Sequence, residues 1–159
     1  MFRHILVPTD FSPTSQRALA LALELALGHG TRLTLLHISD EFSAQSLVDG
    51  ESMEAVSDLI AFDTKRLELA VWDKLSELLQ RPVPDGAAPA VATRVMTGQP
   101  ARRILDLADE LGIDAIVMGT HGRKGLMDRL VGSTAERVLR DANCAVLVVK
   151  PEGYPIRRD

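Results

Sequence analysis

Apolar residues fall into short runs rich in β-branched side chains and longer stretches at helical spacing, and the two kinds alternate from end to end. Such alternation is how βα units build a parallel sheet. Five runs read as strands: His4 to Val7, Thr31 to Ile38, Pro89 to Met96, Asp114 to Met118 and Ala145 to Val149. After the first, Ser12 offers a hydroxyl to cap a helix and Pro13 suits its first position. That helix is expected to run to about Leu27, where Gly28-His29-Gly30 ends it; Ser15 stands where a capping box would need Glu or Gln. Met53, Val56, Leu59, Ile60, Leu67, Ala70, Val71, Leu75, Leu78 and Leu79 recur at helical spacing and predict one long helix over 52 to 80. A polar approach, Asp40 to Gly50, reads as a mobile loop, and Arg81 to Pro89 as a turn-rich connector. Gly98-Gln99-Pro100 leads into a helix carrying Ile104, Leu105, Leu107, Ala108 and Leu111, closed by Gly112, and Ser133 to Asp141 is the last helix. With right-handed crossovers the fold class is α/β, an open five-stranded parallel sheet with helices on both faces.

Composition narrows the partners. The 159 residues, 46% hydrophobic and 25% charged, suit a single domain over 1–151 with a short tail at 152–159. A net charge of −4 gives no general attraction to polyanions, so neither nucleic acid nor an anionic membrane is expected as the main partner. Ile5-Leu6-Val7 is too short for a signal-peptide core and Glu24 interrupts the apolar region Ala18 to Leu27, which predicts a cytoplasmic protein. The lone Cys144 excludes an internal disulfide and reads as a small buried residue; no Cys/His cluster has zinc-site spacing.

The densest chemical signal is Met118-Gly-Thr-His-Gly122 followed by Gly132-Ser133-Thr134 at the start of the last helix. Gly119 and Gly122 would sit at the carboxyl end of the fourth strand, where open α/β sheets bind ligands. Gly132 and Ser133 would present unpaired helix N–H groups to an anion. Ser133-x-x-Glu136 is also a complete capping box, which satisfies those groups without a ligand, and both readings stay open. Arg123 and Lys124 can neutralise phosphates or simply be solvated. Asp10, directly after the first strand, can accept hydrogen bonds from ribose hydroxyls or serve a turn. Ile38 can pack on a base, offer its backbone to an adenine edge, or be plain core. His37 is expected in the sheet packing, and Trp72 and the methionines in the core or an interface. The Walker pattern and Gly-x-Gly-x-x-Gly are both absent, and no nucleophile with a base and an orienting acid can be assembled.

These pieces, with Ile5-Leu-Val-Pro-Thr-Asp-Phe-Ser12, Leu35-Leu-His-Ile38, Gly98-Gln-Pro100 and Asn143-Cys-Ala-Val-Leu-Val-Val149, closely resemble the universal stress protein family in its ATP-binding branch. The resemblance implies a Rossmann-like, adenine nucleotide alpha hydrolase-like sheet holding ATP or another adenine nucleotide, with Mg2+ or Mn2+ on the phosphates. It implies cofactor-binding positions at Pro8, Thr9, Asp10, Ile38, Met118, Gly119, Gly122, Arg123, Gly132, Ser133 and Thr134, with no catalytic residue and no protein metal ligand. It also implies a homodimer through the last strand, 145–150. The function expected is a nucleotide-dependent stress-response sensor or regulator with slow or no hydrolysis. The alternatives are an ATPase or adenylating enzyme on the same fold, or a dimeric interaction module with a vestigial nucleotide site.

Overall fold

The structure is a computed structural model and describes residues 1–39, 53–79, 88–120 and 132–152. Its strands are β1 (His4–Thr9), β2 (Arg32–Ser39), β3 (Val91–Thr97), β4 (Ala115–Gly119) and β5 (Ala145–Val149). Its helices are α1 (Pro13–Ala26), α2 (Met53–Leu79), α3 (Pro100–Glu110) and α4 (Ser133–Asp141). All strand pairs are parallel and the sheet order is β3-β2-β1-β4-β5. The expected loop at 40–50, most of the connector at 81–89 and the tail beyond 152 lie outside the described residues. Among the described residues no helix is long and apolar enough to cross a membrane.

Alternation along the central strands splits the core in two. Ile5 and Val7 of β1, Leu33 and Leu35 of β2 and Val117 of β4 face α1, joined by Ala18, Leu19, Ala22 and Leu23, and Leu67 brings α2 into the same layer. Leu6, Leu36, Ile116 and Met118 face the other way, onto Ala101, Ile104 and Leu107 of α3 and Ala135 and Val138 of α4. Each buried Leu, Ile, Val or Met among these contributes about 1.5–3 kcal/mol of transfer free energy. Trp72, expected in the core or an interface, is instead 70% exposed on α2, so the core half of that expectation fails.

Local chemistry sets the element ends. Ser12 caps α1 by accepting the Ser15 N–H at 3.2 Å, and Pro13 fills the first position as expected. Gly98 turns at φ 123, a conformation side chains avoid, and this lets Arg103 Nε donate to the Thr97 carbonyl at 2.8 Å.

The amino ends of the central strands are laced by Asp114, whose carboxylate accepts the Arg3 N–H at 2.8 Å and the His4 N–H at 3.0 Å. Slight burial pushes this carboxyl up, but the two amides outweigh it and hold it below the ordinary carboxylate range. His4, buried and 2.9 Å from Thr34 Oγ1, is pushed below its usual pKa by burial and by the nearby Arg32 charge. Both shifts act in one direction. The folded state prefers Asp114 ionised and His4 neutral, so it binds fewer protons than the unfolded chain and loses stability on acidification. Urea midpoints are expected to fall below about pH 6.5 as His4 takes up a proton and charges in the unfolded chain, and again below about pH 4 as Asp114 takes up a proton there and loses its charge. Asp114→Asn should cost about 1–3 kcal/mol at neutral pH and flatten the lower descent. A midpoint that rises as the pH is lowered contradicts this account.

Candidate functional site

In the order β3-β2-β1-β4-β5 the winding reverses between β1 and β4, and that reversal marks the crevice where doubly wound sheets take ligands. The β1–β4 register runs Ile5↔Ala115 and Leu6↔Ile116 and goes no further, so the two strands part toward their carboxyl ends. Pro8, which has no N–H to give a ladder, sits in this parting and extends β1 two residues past its expected end at Val7. Its register partner is on the β2 side, Leu36.

The turn after β1 is bonded at every step. Thr9 Oγ1 accepts the Phe11 N–H at 3.1 Å and donates to Ser15 Oγ at 3.0 Å. Asp10 Oδ1 accepts the Ser12 N–H at 3.1 Å, the Asx turn that was the plain alternative for this residue. Asp10 remains partly exposed at the carboxyl edge. Phe11 adopts φ 63, an outlier for a bulky side chain that costs on the order of 1–3 kcal/mol unless its surroundings fix it.

Those surroundings come from His37, expected in the sheet packing, and from Asp63 and Arg66, which the sequence did not single out. His37 Nδ1 lies 2.9 Å from the Thr9 carbonyl, and since a carbonyl only accepts, Nδ1 carries a proton. Its Nε2 faces the buried Asp63 carboxylate of α2 at 3.5 Å, and Asp63 also pairs with Arg66 at 3.6 Å. The Phe11 ring lies 4.7 Å from the His37 ring, and the Arg66 guanidinium sits over the Phe11 ring, 3.8 Å from its centroid. His37 is therefore in the sheet packing as expected, but it also joins β2 to α2. The available signal was Asp63 itself, a carboxylate on the apolar stripe of a helix, four residues before Leu67.

On the β4 side the Thr120 N–H donates to the Val149 carbonyl at 2.9 Å, and the Gly132 N–H to the Thr120 carbonyl at 2.6 Å. Residues 121–131, including Gly122 and Arg123, lie outside the described residues, but their two flanks are thus tied together. Gly132 is the N-cap of α4, with φ −71 and ψ 154, and no side-chain hydrogen bond caps the helix. The capping-box reading of Ser133 is corrected here. Ser133 is the first helical residue and exposed, one position too late to cap. The expectation of an unpaired N–H at Gly132 is corrected as well, since that amide is spent on the Thr120 carbonyl. The amides of Ser133, Thr134 and Ala135 precede the first helical bond, Glu136 N–H to the Gly132 carbonyl at 2.9 Å.

The remaining candidates divide by side chain and backbone. Met118 is buried among the α3 and α4 residues, and Ile38 packs partly against the same layer, so at both positions the backbone is what the crevice edge can use. Gly119 does not need a positive φ. A Cβ there would stand 3.0 Å from Thr14 Cγ2 and 3.2 Å from the Thr14 carbonyl carbon, so β4 ends pressed on the first turn of α1. Cys144 is half-buried, and burial pushes its thiol up, away from reactivity. Among the described residues no His, Cys, Asp and Glu cluster could hold a metal ion.

A parallel sheet whose order reverses between β1 and β4, with an acidic turn after one strand and a helix start lacking a side-chain cap after the other, defines a doubly wound α/β protein, a class whose ligands bind at the carboxyl edge of such a reversal. The chain belongs to the universal stress protein family, whose sequence model matches residues 1–150. Universal stress protein MJ0531 of Methanocaldococcus jannaschii is 31% identical over 150 residues, covering 94% of this chain and 83% of the relative. The solved structure of MJ0577, from the same organism, superposes with a TM-score of 0.74 at 30% identity, covering 96% of this chain and 99% of that one. Two more distant structures share the fold. A universal stress protein in complex with cAMP has a TM-score of 0.59 at 23% identity, covering 94% and 97% of the two chains. One from Archaeoglobus fulgidus in complex with dAMP has 0.56 at 20%, covering 92% and 96%.

Because the Thr14 backbone cannot step aside without moving α1, Gly119→Val is expected to lower unfolding stability by about 1–3 kcal/mol. Thermal or urea unfolding checks this, and a variant as stable as the parent would show that β4 is not held against α1 there.

Proposed function

We propose that this protein is a cytoplasmic, ATP-binding universal stress protein that acts as a nucleotide-dependent sensor or regulator, hydrolysing its ligand slowly or not at all. The observation that carries the reading is the start of α4, without a side-chain cap and tied to the end of β4, the strand beside β1 and its Asp10 turn at the reversal of the sheet. Such a helix start binds phosphate through free amides and a positive dipole end. That relatives of the same fold hold cAMP and dAMP supports an adenine nucleotide as the guest.

In this proposal Asp10 meets the ribose, the Ile38 backbone meets adenine, and Pro8, Thr9 and Met118 shape the walls. Ser133 and Thr134 hold phosphates, with Gly119, Gly122 and Gly132 keeping the backbone close and Arg123 adding charge. Mg2+ or Mn2+ would arrive on the phosphates, whose charge it would partly neutralise. The dimer would form along β5, which is at the sheet edge with Leu147 43% exposed.

Titration calorimetry of nucleotide-stripped protein with Mg-ATP is expected to give saturable heat, and ATP at a hundred times Kd should add about 2.7 kcal/mol of stability. No heat and no thermal shift at millimolar ATP would end the proposal. Ser133→Pro isolates the helix start: proline is at home in the first helical position, and Gly132 already has the extended backbone that a residue before proline needs. Losing that one amide should weaken ATP about tenfold, the scale of a hydrogen bond to a charged group, and leave adenosine untouched. Leu147→Lys should shift the dimer to monomer in analytical ultracentrifugation; an unmoved sedimentation coefficient would place the dimer elsewhere.

A further inference from the structure

We infer that Phe11, His37, Asp63 and Arg66 form a positioning clamp through which helix α2 sets how well Asp10 discriminates a ribose from a deoxygenated sugar. The inference rests on the proposed ribose contact of Asp10 and adds to it residues that touch no nucleotide.

The clamp holds both peptide units around Asp10. On its amino side the Thr9 carbonyl receives the His37 Nδ1–H at 2.9 Å, which fixes the peptide linking Thr9 to Asp10. On its carboxyl side the Phe11 N–H is held by Thr9 Oγ1 at 3.1 Å, and the Phe11 ring lies against His37 at 4.7 Å and under the Arg66 guanidinium at 3.8 Å. The backbone of Phe11 at φ 63 is a conformation that an aromatic residue keeps only when its neighbours enforce it. Asp63 is the tie. Buried on α2, it faces both His37 at 3.5 Å and Arg66 at 3.6 Å, so one carboxylate orients the hydrogen-bonding ring and the stacking cation together. Removing any member frees the turn, and the Asp10 carboxylate then has to be ordered at the moment of binding. The affinity lost is the part that depends on correctly aimed hydrogen bonds to sugar hydroxyls.

The readout is the ratio of Kd for Mg-2′,3′-dideoxy-ATP to Kd for Mg-ATP, measured by calorimetry on the full chain. The parent is expected to prefer ATP by about tenfold or more, and Asp10→Ala to abolish the preference. Phe11→Gly suits the backbone at φ 63 and so should fold, yet it should lower the ratio by about threefold or more by weakening ATP alone, with the dideoxy compound bound as before. Arg66→Met, on the accessible rim of the clamp, should do the same with His37 still facing Asp63, and Phe11→Tyr, which keeps the ring, should retain the parent ratio. A parental ratio in Phe11→Gly and Arg66→Met, with Asp10→Ala still collapsing it, overturns the clamp and leaves the ribose contact standing. Equal loss of ATP and dideoxy-ATP in those variants also overturns it, since general damage is then the cause. A parent with no preference between the two ligands removes the ribose contact and the clamp with it.

Discussion

The parting of β1 from β4 beyond Leu6 and Ile116 is the constraint on which the rest of the carboxyl edge depends. Right-handed crossovers put α1 and α2 on one face and α3 and α4 on the other, so the connections leaving β1 and β4 turn to opposite sides. Between two strands whose loops diverge, backbone groups are left without a neighbouring ladder. The sequence meets this demand locally: Pro8 removes a donor, and Thr9 and Asp10 accept from the amides that follow. On the β4 side, Thr120 and Gly132 pair with Val149 and with each other across the flanks of the intervening residues. The crevice is a consequence of topology, and the polar residues beside it keep its backbone satisfied.

Strain and buried charge gather at this same edge. Phe11 in the left-handed region and Asp63 out of water are each unfavourable alone. Each is offset by the other's partners, because Arg66 serves both the Phe11 ring and the Asp63 carboxylate while His37 serves Asp63 and the Thr9 carbonyl. At the opposite edge Asp114 makes a cheaper arrangement, a carboxylate near solvent holding two amides without strain. The asymmetry separates an edge that only closes the sheet from one that keeps a turn in a fixed shape.

Periodicity made the elements legible. Every strand and helix of the βα alternation stands where the pattern put it, with ends displaced by two residues or fewer, because burial on one or two faces writes itself into spacing. Site details were less legible where they depend on a single residue's choice of partner. Ser133 and Glu136 spell a capping box, yet the helix starts one residue earlier and Gly132 takes the cap without a side chain. Gly119 signals a ligand or a turn, yet its missing Cβ is first required by Thr14 of α1. The His37–Asp63 pair joins residues 26 apart through the fold, and no local spacing encodes such a contact. Trp72 misled because helical spacing fixes which residues share a face and leaves open whether the protein covers it.

The start of α4 shows how capping and anion binding compete for the same groups. A serine one position earlier would have accepted an N–H of the first turn and added about 1 kcal/mol to the helix. With glycine as the cap that gain is mostly kept, since glycine trails serine at this position by only a few tenths of a kcal/mol, while the amides of Ser133 and Thr134 precede the first bond of the helix and take no side-chain cap. Glu136 in the first turn works against an incoming anion even as it suits the helix dipole. Its charge is solvent-exposed and therefore weakened, but it is a full charge against the roughly half-charge of the helix end. Amides alone are then a modest attraction for a polyphosphate. Under the proposed function tight binding there calls for further positive charge, which Arg123 and Lys124, between Gly119 and Gly132 in the sequence, and a divalent ion on the phosphates would add.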